Sequence, residues 1–303
     1  MVRHAQCATG GAARHSRAVL STIDVERLLV DGEVPLELLV CGAEGAAAPL
    51  LFVHGAYVGA WCWAEHWLPW FAAQGHPAYA LSLRAHGRSA GRDQLNEFGL
   101  AHYTDDLLAA LARLGRAPIL VGHSMGALVV QKALERGVDC PACVLLCPVP
   151  AFGVLPATFS LAFLRPALFA QIQAMAAGHR VSLDALQQAM FSGPLEADRL
   201  QRIYARMQPE SSRALLDMSG WGLPHPWRAP RIPTLVLGAE RDVLIPSALA
   251  ESSARMLGAD YRLLEGQGHA VMLETAWQGA AGIVRDWLQA HGAAGQAARG
   301  ASR

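Results

Sequence analysis

Two hydrophobic periods alternate along most of the chain. Short apolar runs occur at Leu50-Leu-Phe-Val53, Ala78-Tyr-Ala-Leu-Ser-Leu83, Ile119 to Gly122, Ala142 to Cys147, Thr234-Leu-Val-Leu-Gly238 and Tyr261-Arg-Leu-Leu264. Runs of this length and composition read as buried strands. Between them lie longer stretches with helical spacing: 61–74, 98–114, 125–136, 247–257 and 275–290. In the second of these, Leu107, Leu108, Leu111 and Leu114 fall on a face. Short apolar strands alternating with helices predict an α/β fold, a mostly parallel sheet with helices on both faces. Ahead of them, Val25 to Val30 and Leu36 to Val40 flank Asp31-Gly32, the signature of a hairpin.

Residues 151–230 break this rhythm. They hold no strand pattern, and their helical segments fall near 158–164, 167–176, 182–191, 196–207 and 210–218. Pro166 and Pro209 sit where helices can begin. The expected organisation is a core of 21–150 and 231–291, a helical cap inserted at 151–230, and disordered tails at 1–20 and 292–303.

Composition narrows the class of protein. A chain of 303 residues, 52% hydrophobic, can bury the core of one large domain with an insertion. Its 25 basic and 25 acidic residues cancel, so nothing draws it to nucleic acid or an anionic membrane. Residues 1–22 carry scattered Arg and His and no apolar signal core. The longest charge-free stretch, Cys140 to Leu164, contains Pro141, Pro148, Pro150 and Pro156, too many for a spanning helix. A cytoplasmic protein without a membrane span is expected. Cys140-Pro-Ala-Cys143 has no second Cys/His pair nearby, so it reads as buried strand, and no metal or cofactor is expected.

The chemistry concentrates at Val121-Gly-His-Ser124-Met-Gly-Ala127, between a strand and a helix. A turn that sharp crowds neighbouring Cβ atoms, which Gly122 and Gly126 relieve. It lifts Ser124 above the carboxyl ends of the strands, beside the free N–H groups of a helix start. A serine hydroxyl is a weak nucleophile and needs a base held by an acid. His269, in Gly266-Gln-Gly-His269, follows the last strand. Asp242, in Glu240-Arg-Asp242-Val, follows the strand at 234–238, with Glu240 as a second candidate. The expected oxyanion donors are the N–H groups of Met125 and of Ala56, which follows Gly55 after the strand at 50–53. Tyr57, Val58, Trp61, Phe159, Phe163, Trp221 and Trp227 are the expected walls of a substrate pocket between cap and sheet.

Phe-Val-His54-Gly55, Gly122-His-Ser124-Met-Gly126, Asp242 before Val-Leu-Ile-Pro, and Gly-His269 occur in that order. On these motifs the chain resembles the capped α/β hydrolases over roughly residues 24–291. His54 to Trp63 resembles plant methylesterases and hydroxynitrile lyases in particular. The resemblance implies a serine hydrolase acting on a small apolar ester, thioester or lactone without a cofactor. It also implies alternatives on the same residues: a small-molecule receptor with slow turnover, a cofactor-free perhydrolase or haloperoxidase, or a lyase. The lyases of this kind use a cap lysine, and the single lysine here, Lys132, lies outside the cap segment. Many family members carry Asp-x-Arg-Gly-His-Gly-x-Ser after the fourth strand. Here Ser82 and Ala85 replace its Asp and Gly, so the hydrogen bonding of that segment is expected to differ.

Overall fold

A computed structural model describes residues 23–30, 34–42 and 44–292. Eight strands form one sheet: β1 (Ile23–Val30), β2 (Val34–Cys41), β3 (Leu50–Val53), β4 (Ala78–Ser82), β5 (Ile119–His123), β6 (Cys143–Leu146), β7 (Thr234–Ala239) and β8 (Asp260–Leu264). Their order is β1-β2-β4-β3-β5-β6-β7-β8. The β1–β2 and β2–β4 pairs are antiparallel, and every later pair is parallel. The Asp31-Gly32 turn and the expected tails, except Gly292, lie outside the described residues.

Alternation within the strands creates two cores. Phe52, Val121, Val144, Leu146, Leu235 and Leu237 face one side of the sheet. There they meet α1 (Trp61–Ala64), α2 (Trp67–Ala73) and, late in the chain, α11 (Trp277–Ala290). Leu51, Val53, Leu120, Cys143, Leu145 and Val236 face the other side. Their partners are α3 (Leu100–Leu114), α4 (Met125–Glu135) and α10 (Ser247–Leu257). A strand buried on both faces needs apolar residues at every position, which explains the unbroken runs in the sequence.

The helical stretch expected at 61–74 divides at Glu65-His66 into α1 and α2. Five helices leave the sheet between β6 and β7: α5 (Leu155–Leu164), α6 (Pro166–Ala176), α7 (Leu183–Met190), α8 (Ala197–Arg206) and α9 (Ser212–Leu216). A π-helical turn, Asp217–Trp221, follows α9 and kinks at Gly220. No helix among the described residues is long and apolar enough to cross a membrane.

The drifted segment after β4 has its own bonding. The Ser82 hydroxyl donates to Glu37 Oε2 at 2.7 Å and accepts the Ala60 N–H at 2.9 Å. The Arg84 guanidinium meets Asp106 at 2.7 Å in a buried ion pair. Ala85 holds a φ of 65°, the left-handed conformation that a glycine takes without strain.

Candidate active site

Ser124 is the residue between β5 and α4, with φ 52° and ψ −115°. A non-glycine residue is strained there, and its surroundings over-determine it. Its N–H donates to Leu146 O at 3.0 Å, and its carbonyl accepts from Ala127 N–H at 3.1 Å and Val149 N–H at 3.3 Å. The flanking glycines are required by close approach. A Cβ at Gly122 would lie 2.7 Å from Gly126 O, and one at Gly126 only 2.5 Å from the carbonyl oxygens of Val53 and His54. Gly55 allows the next loop to close over the serine, since a Cβ there would sit 3.1 Å from Ser124 Cβ.

The sheet brings the acid and base to the same edge. Asp242, three residues past β7, is buried. Its Oδ1 accepts the N–H groups of Leu244 (2.9 Å) and Ile245 (2.8 Å), and its Oδ2 accepts His269 Nδ1–H at 2.7 Å. That bond commits Nδ1 as a donor and leaves Nε2 as the acceptor. His269 and Ser124 line one cavity. The other carboxylate in the Asp242 loop, Glu240, accepts the Gly266 N–H at 2.7 Å.

Three further residues support this arrangement. Glu274 Oε1 accepts the N–H groups of Gly268 and Ser192, both at 2.7 Å, tying the histidine loop to the chain after α7. His123 Nε2–H donates to the His269 carbonyl at 2.9 Å. Burial, and then the neighbouring His269, push the His123 imidazole well below its ordinary value, so it stays neutral. The Cys147 thiol lies against Asp242, and burial followed by that carboxylate pushes it well above the ordinary thiol range. Cys147, Asp242 and His269 place a sulfur, an oxygen and a nitrogen within 4.8 Å of one another. This donor set does not fit a metal: the Asp242 carboxylate is already occupied by three N–H donors, one of them His269 Nδ1–H itself. Glu274 and Cys147 carry no local motif, because each acts on a partner distant in sequence, whereas His123 stands inside the turn itself, next to Ser124.

The cavity measures about 400 Å³, ordinary for a small-molecule site. The loop after β3 supplies Ala56, Tyr57 and Val58. The helices after β6 supply the roof, with Leu161, Ile172, Leu186, Met190 and Met218 among its residues. No Asp, Glu, Lys or Arg lines it. The N–H groups of Ala56 and Met125 donate to no protein group among the described residues.

Five expected walls stand elsewhere. Phe159 and Phe163 are 71% and 86% exposed, because α5 turns Ala157 and Leu161 inward and these two outward. Trp221, past the Gly220 kink, is 81% exposed, and Trp227 is 77% exposed beside a separate groove with Gln131 and Leu134. Trp61 is buried in the sheet-face core, with the Arg206 guanidinium 4.5 Å above its ring. Cys140 and Cys143 are both buried thiols, but only Cys143 lies on a strand, at the start of β6, and Cys140 sits in the loop before it, where burial pushes its thiol up to about 12.

A serine held at a strand-to-helix turn above such a sheet defines the class of α/β hydrolases. The sequence model of the Alpha/beta hydrolase family matches residues 50–282, and the chain belongs to that family. Esterase PIR7B of Oryza sativa subsp. japonica is 41% identical over 93 residues, 29% of this chain and 34% of that protein. Methyl jasmonate esterase 1 of Vitis vinifera is 38% identical over 89 residues, 28% of this chain and 33% of that protein. The matched stretch is thus about a third of each relative's length. Among solved structures, the esterase RhEst1 from Rhodococcus sp. ECU1013 superposes with a TM-score of 0.65 at 22% identity, covering 89% of this chain and 99% of that one. The bromoperoxidase from Bacillus anthracis gives 0.65 at 18%, covering 88% and 100%. At these identities the likeness is one of fold.

Proposed function

We propose that the protein hydrolyses an uncharged carboxylic ester, thioester or lactone of apolar character through an acyl-enzyme on Ser124. The observation that carries this reading is the buried Asp242–His269 bond at 2.7 Å, with His269 and the strained Ser124 lining one apolar cavity. Ser124 Oγ attacks the substrate carbonyl as His269 Nε2 takes its proton. Asp242 holds the imidazole in the required tautomer and stabilises its charged form. The protonated His269 then gives its proton to the departing alkoxide, thiolate or ring oxygen. A water molecule, deprotonated by the same imidazole, releases the acid. In this reading the Ala56 and Met125 amides, which have no hydrogen-bond partner among the described residues, form the oxyanion site, where each such donor contributes about 3 kcal/mol to the transition state.

The helices between β6 and β7 act in this reading as a cap that selects the substrate. A wall without formal charge leaves an ionised group in the acyl or alcohol part unpaired on burial. Two similar proteins are named esterases, which agrees with ester hydrolysis. The test is a p-nitrophenyl ester series of rising chain length, with a terminal-carboxylate analogue at each length. The expected result is an optimum at medium length and a loss of at least tenfold in kcat/KM for the charged analogues. Equal turnover of charged and neutral esters would overturn the substrate class.

A further inference from the structure

Glu210 lies between α8 and α9, where no pattern in the sequence singles it out, and it is fully enclosed. Its carboxylate takes four donors. Oε2 accepts the Tyr57 N–H at 3.2 Å and His86 Nε2–H at 3.0 Å. Oε1 accepts the Tyr103 hydroxyl and the Ser211 N–H, both at 2.8 Å. The four acceptor positions of an ionised carboxylate are therefore filled. Burial alone would push Glu210 up, but the His86 charge and these hydrogen bonds outweigh it and hold the group ionised. Burial would likewise push His86 down, and Glu210 outweighs it.

One of the four donors belongs to the loop that carries Ala56. Tyr57 has a φ of 66°, a conformation that a tyrosine does not hold unaided. Its N–H goes to Glu210, and its carbonyl accepts the Gln208 N–H at 3.0 Å. The same short segment, 208–210, thus grips the residue after Ala56 from both sides. The Gln208 side chain extends the grip to the turn after β4, accepting the Gly87 N–H at 2.9 Å and donating to Ala85 O at 2.6 Å. On the inner side the loop is held by His54, whose ring lies 5.0 Å from that of His86 and accepts the Leu83 N–H at 3.1 Å.

We infer that Glu210 is a positioning residue for the reaction: it fixes the Tyr57 peptide, and through it the Ala56 N–H, so that the helical insertion sets the geometry of the oxyanion site. This rests on the hydrolase reading above. Glu210 touches no substrate. Its work is to keep the loop after β3 in a strained shape that suits the transition state and is of little consequence to ground-state binding.

The test compares wild type with Glu210→Gln, Tyr103→Phe and Glu135→Gln. Four quantities are measured: kcat, KM, the affinity of an alkyl boronic acid that forms a tetrahedral adduct on the serine, and thermal midpoint. Glu210→Gln keeps the shape but turns an amide NH2 toward two donors. Its kcat and boronate affinity are expected to fall together by roughly 10- to 100-fold, with KM within about twofold, as for a displaced oxyanion donor. Tyr103→Phe removes one of the four hydrogen bonds and is expected to lower kcat several-fold in the same pattern. Glu135→Gln weakens the pairing of α4 with His225, whose Nδ1 lies 2.9 Å from the Glu135 carboxylate and which touches neither Glu210 nor its donors, and is expected to lower the thermal midpoint while kcat and boronate affinity hold. If Glu210→Gln folds and keeps wild-type kcat and boronate affinity, the inference is overturned. If it does not fold, Tyr103→Phe decides, and an unchanged kcat there overturns it. A wild type that neither turns over esters nor binds the boronate contradicts the hydrolase reading itself, whatever the variants do.

Discussion

Glycine is the residue whose role here can be stated in ångströms. Gly126 lets the start of α4 pack on the end of β3, and its absent Cβ would sit 2.5 Å from two carbonyl oxygens. Gly126→Ala is expected to destabilise the fold by about 1–3 kcal/mol, as overpacking does, and to lower ester turnover further by shifting Ser124. Gly282 in α11 has nothing within 4 Å of an added Cβ. Gly282→Ala is expected to stabilise by roughly 0.5–1 kcal/mol through helix propensity. Urea unfolding of the two variants checks both signs, and a stabilised Gly126→Ala would refute the close-packing account. Histidine supplies a second test. Burial, with the neighbouring His86 charge adding to it, pushes His54 down to about 3. As pH falls below 6.5, the unfolded chain gains a proton there that the folded chain refuses until about pH 3. Stability is therefore lost on the acid side across that window. His54→Gln is expected to flatten the slope of the urea midpoint between pH 6.5 and 4, and an unchanged slope would contradict it. Ser124, its glycines, Asp242 and His269 can be picked out as candidates from the sequence because each stands in a short motif tied to a strand end. Glu210, Glu274 and Cys147 cannot, because each acts through a contact with a distant part of the chain.

At the scale of elements, the central strands β3 to β7 were read to within a residue or two because burial on both faces writes itself as a nearly unbroken apolar run. The helices were harder where their pattern has no side. The α5 sequence, Leu155-Pro-Ala-Thr-Phe-Ser-Leu-Ala-Phe-Leu164, is apolar all round, so nothing in it says which residues turn inward. Only packing against α6 and α7 decides that Leu161 faces the cavity and that Phe159 and Phe163 face water. Replacing both phenylalanines by serine is therefore expected to leave kcat/KM for a medium-chain ester within about twofold, because an exposed side chain away from the site contributes little. Leu161→Trp, on the same helix, is expected to fill part of the cavity and move the chain-length optimum to shorter esters. A large loss of turnover in the double serine variant would show that the outer face of α5 takes part in substrate entry.

At the scale of the whole molecule, the sheet collects Ser124, Asp242 and His269 from the ends of three strands, while the helices from 155 to 221 roof the space above them. Buried polar groups tie this roof down at separate points. Glu210 and Gln208 hold the loops after β3 and β4, Glu274 holds the histidine loop, and Arg199 donates to the Leu273 carbonyl at 2.9 Å. The alternation of strands and helices announced the sheet, and the break in that rhythm announced the insertion. How the insertion meets the core depends on pairs separated by many tens of residues, which no local pattern carries. In the proposed reading, Ser124 is a nucleophile made reactive by His269 and Asp242. The most direct test is covalent labelling of the intact protein by a fluorophosphonate, read by peptide mass spectrometry in wild type, Ser124→Ala and His269→Ala. The account predicts one phosphonylated residue, Ser124, in wild type, no label in Ser124→Ala, and labelling slowed at least a hundredfold in His269→Ala. Labelling that persists in Ser124→Ala, or that proceeds at the wild-type rate without His269, would contradict it.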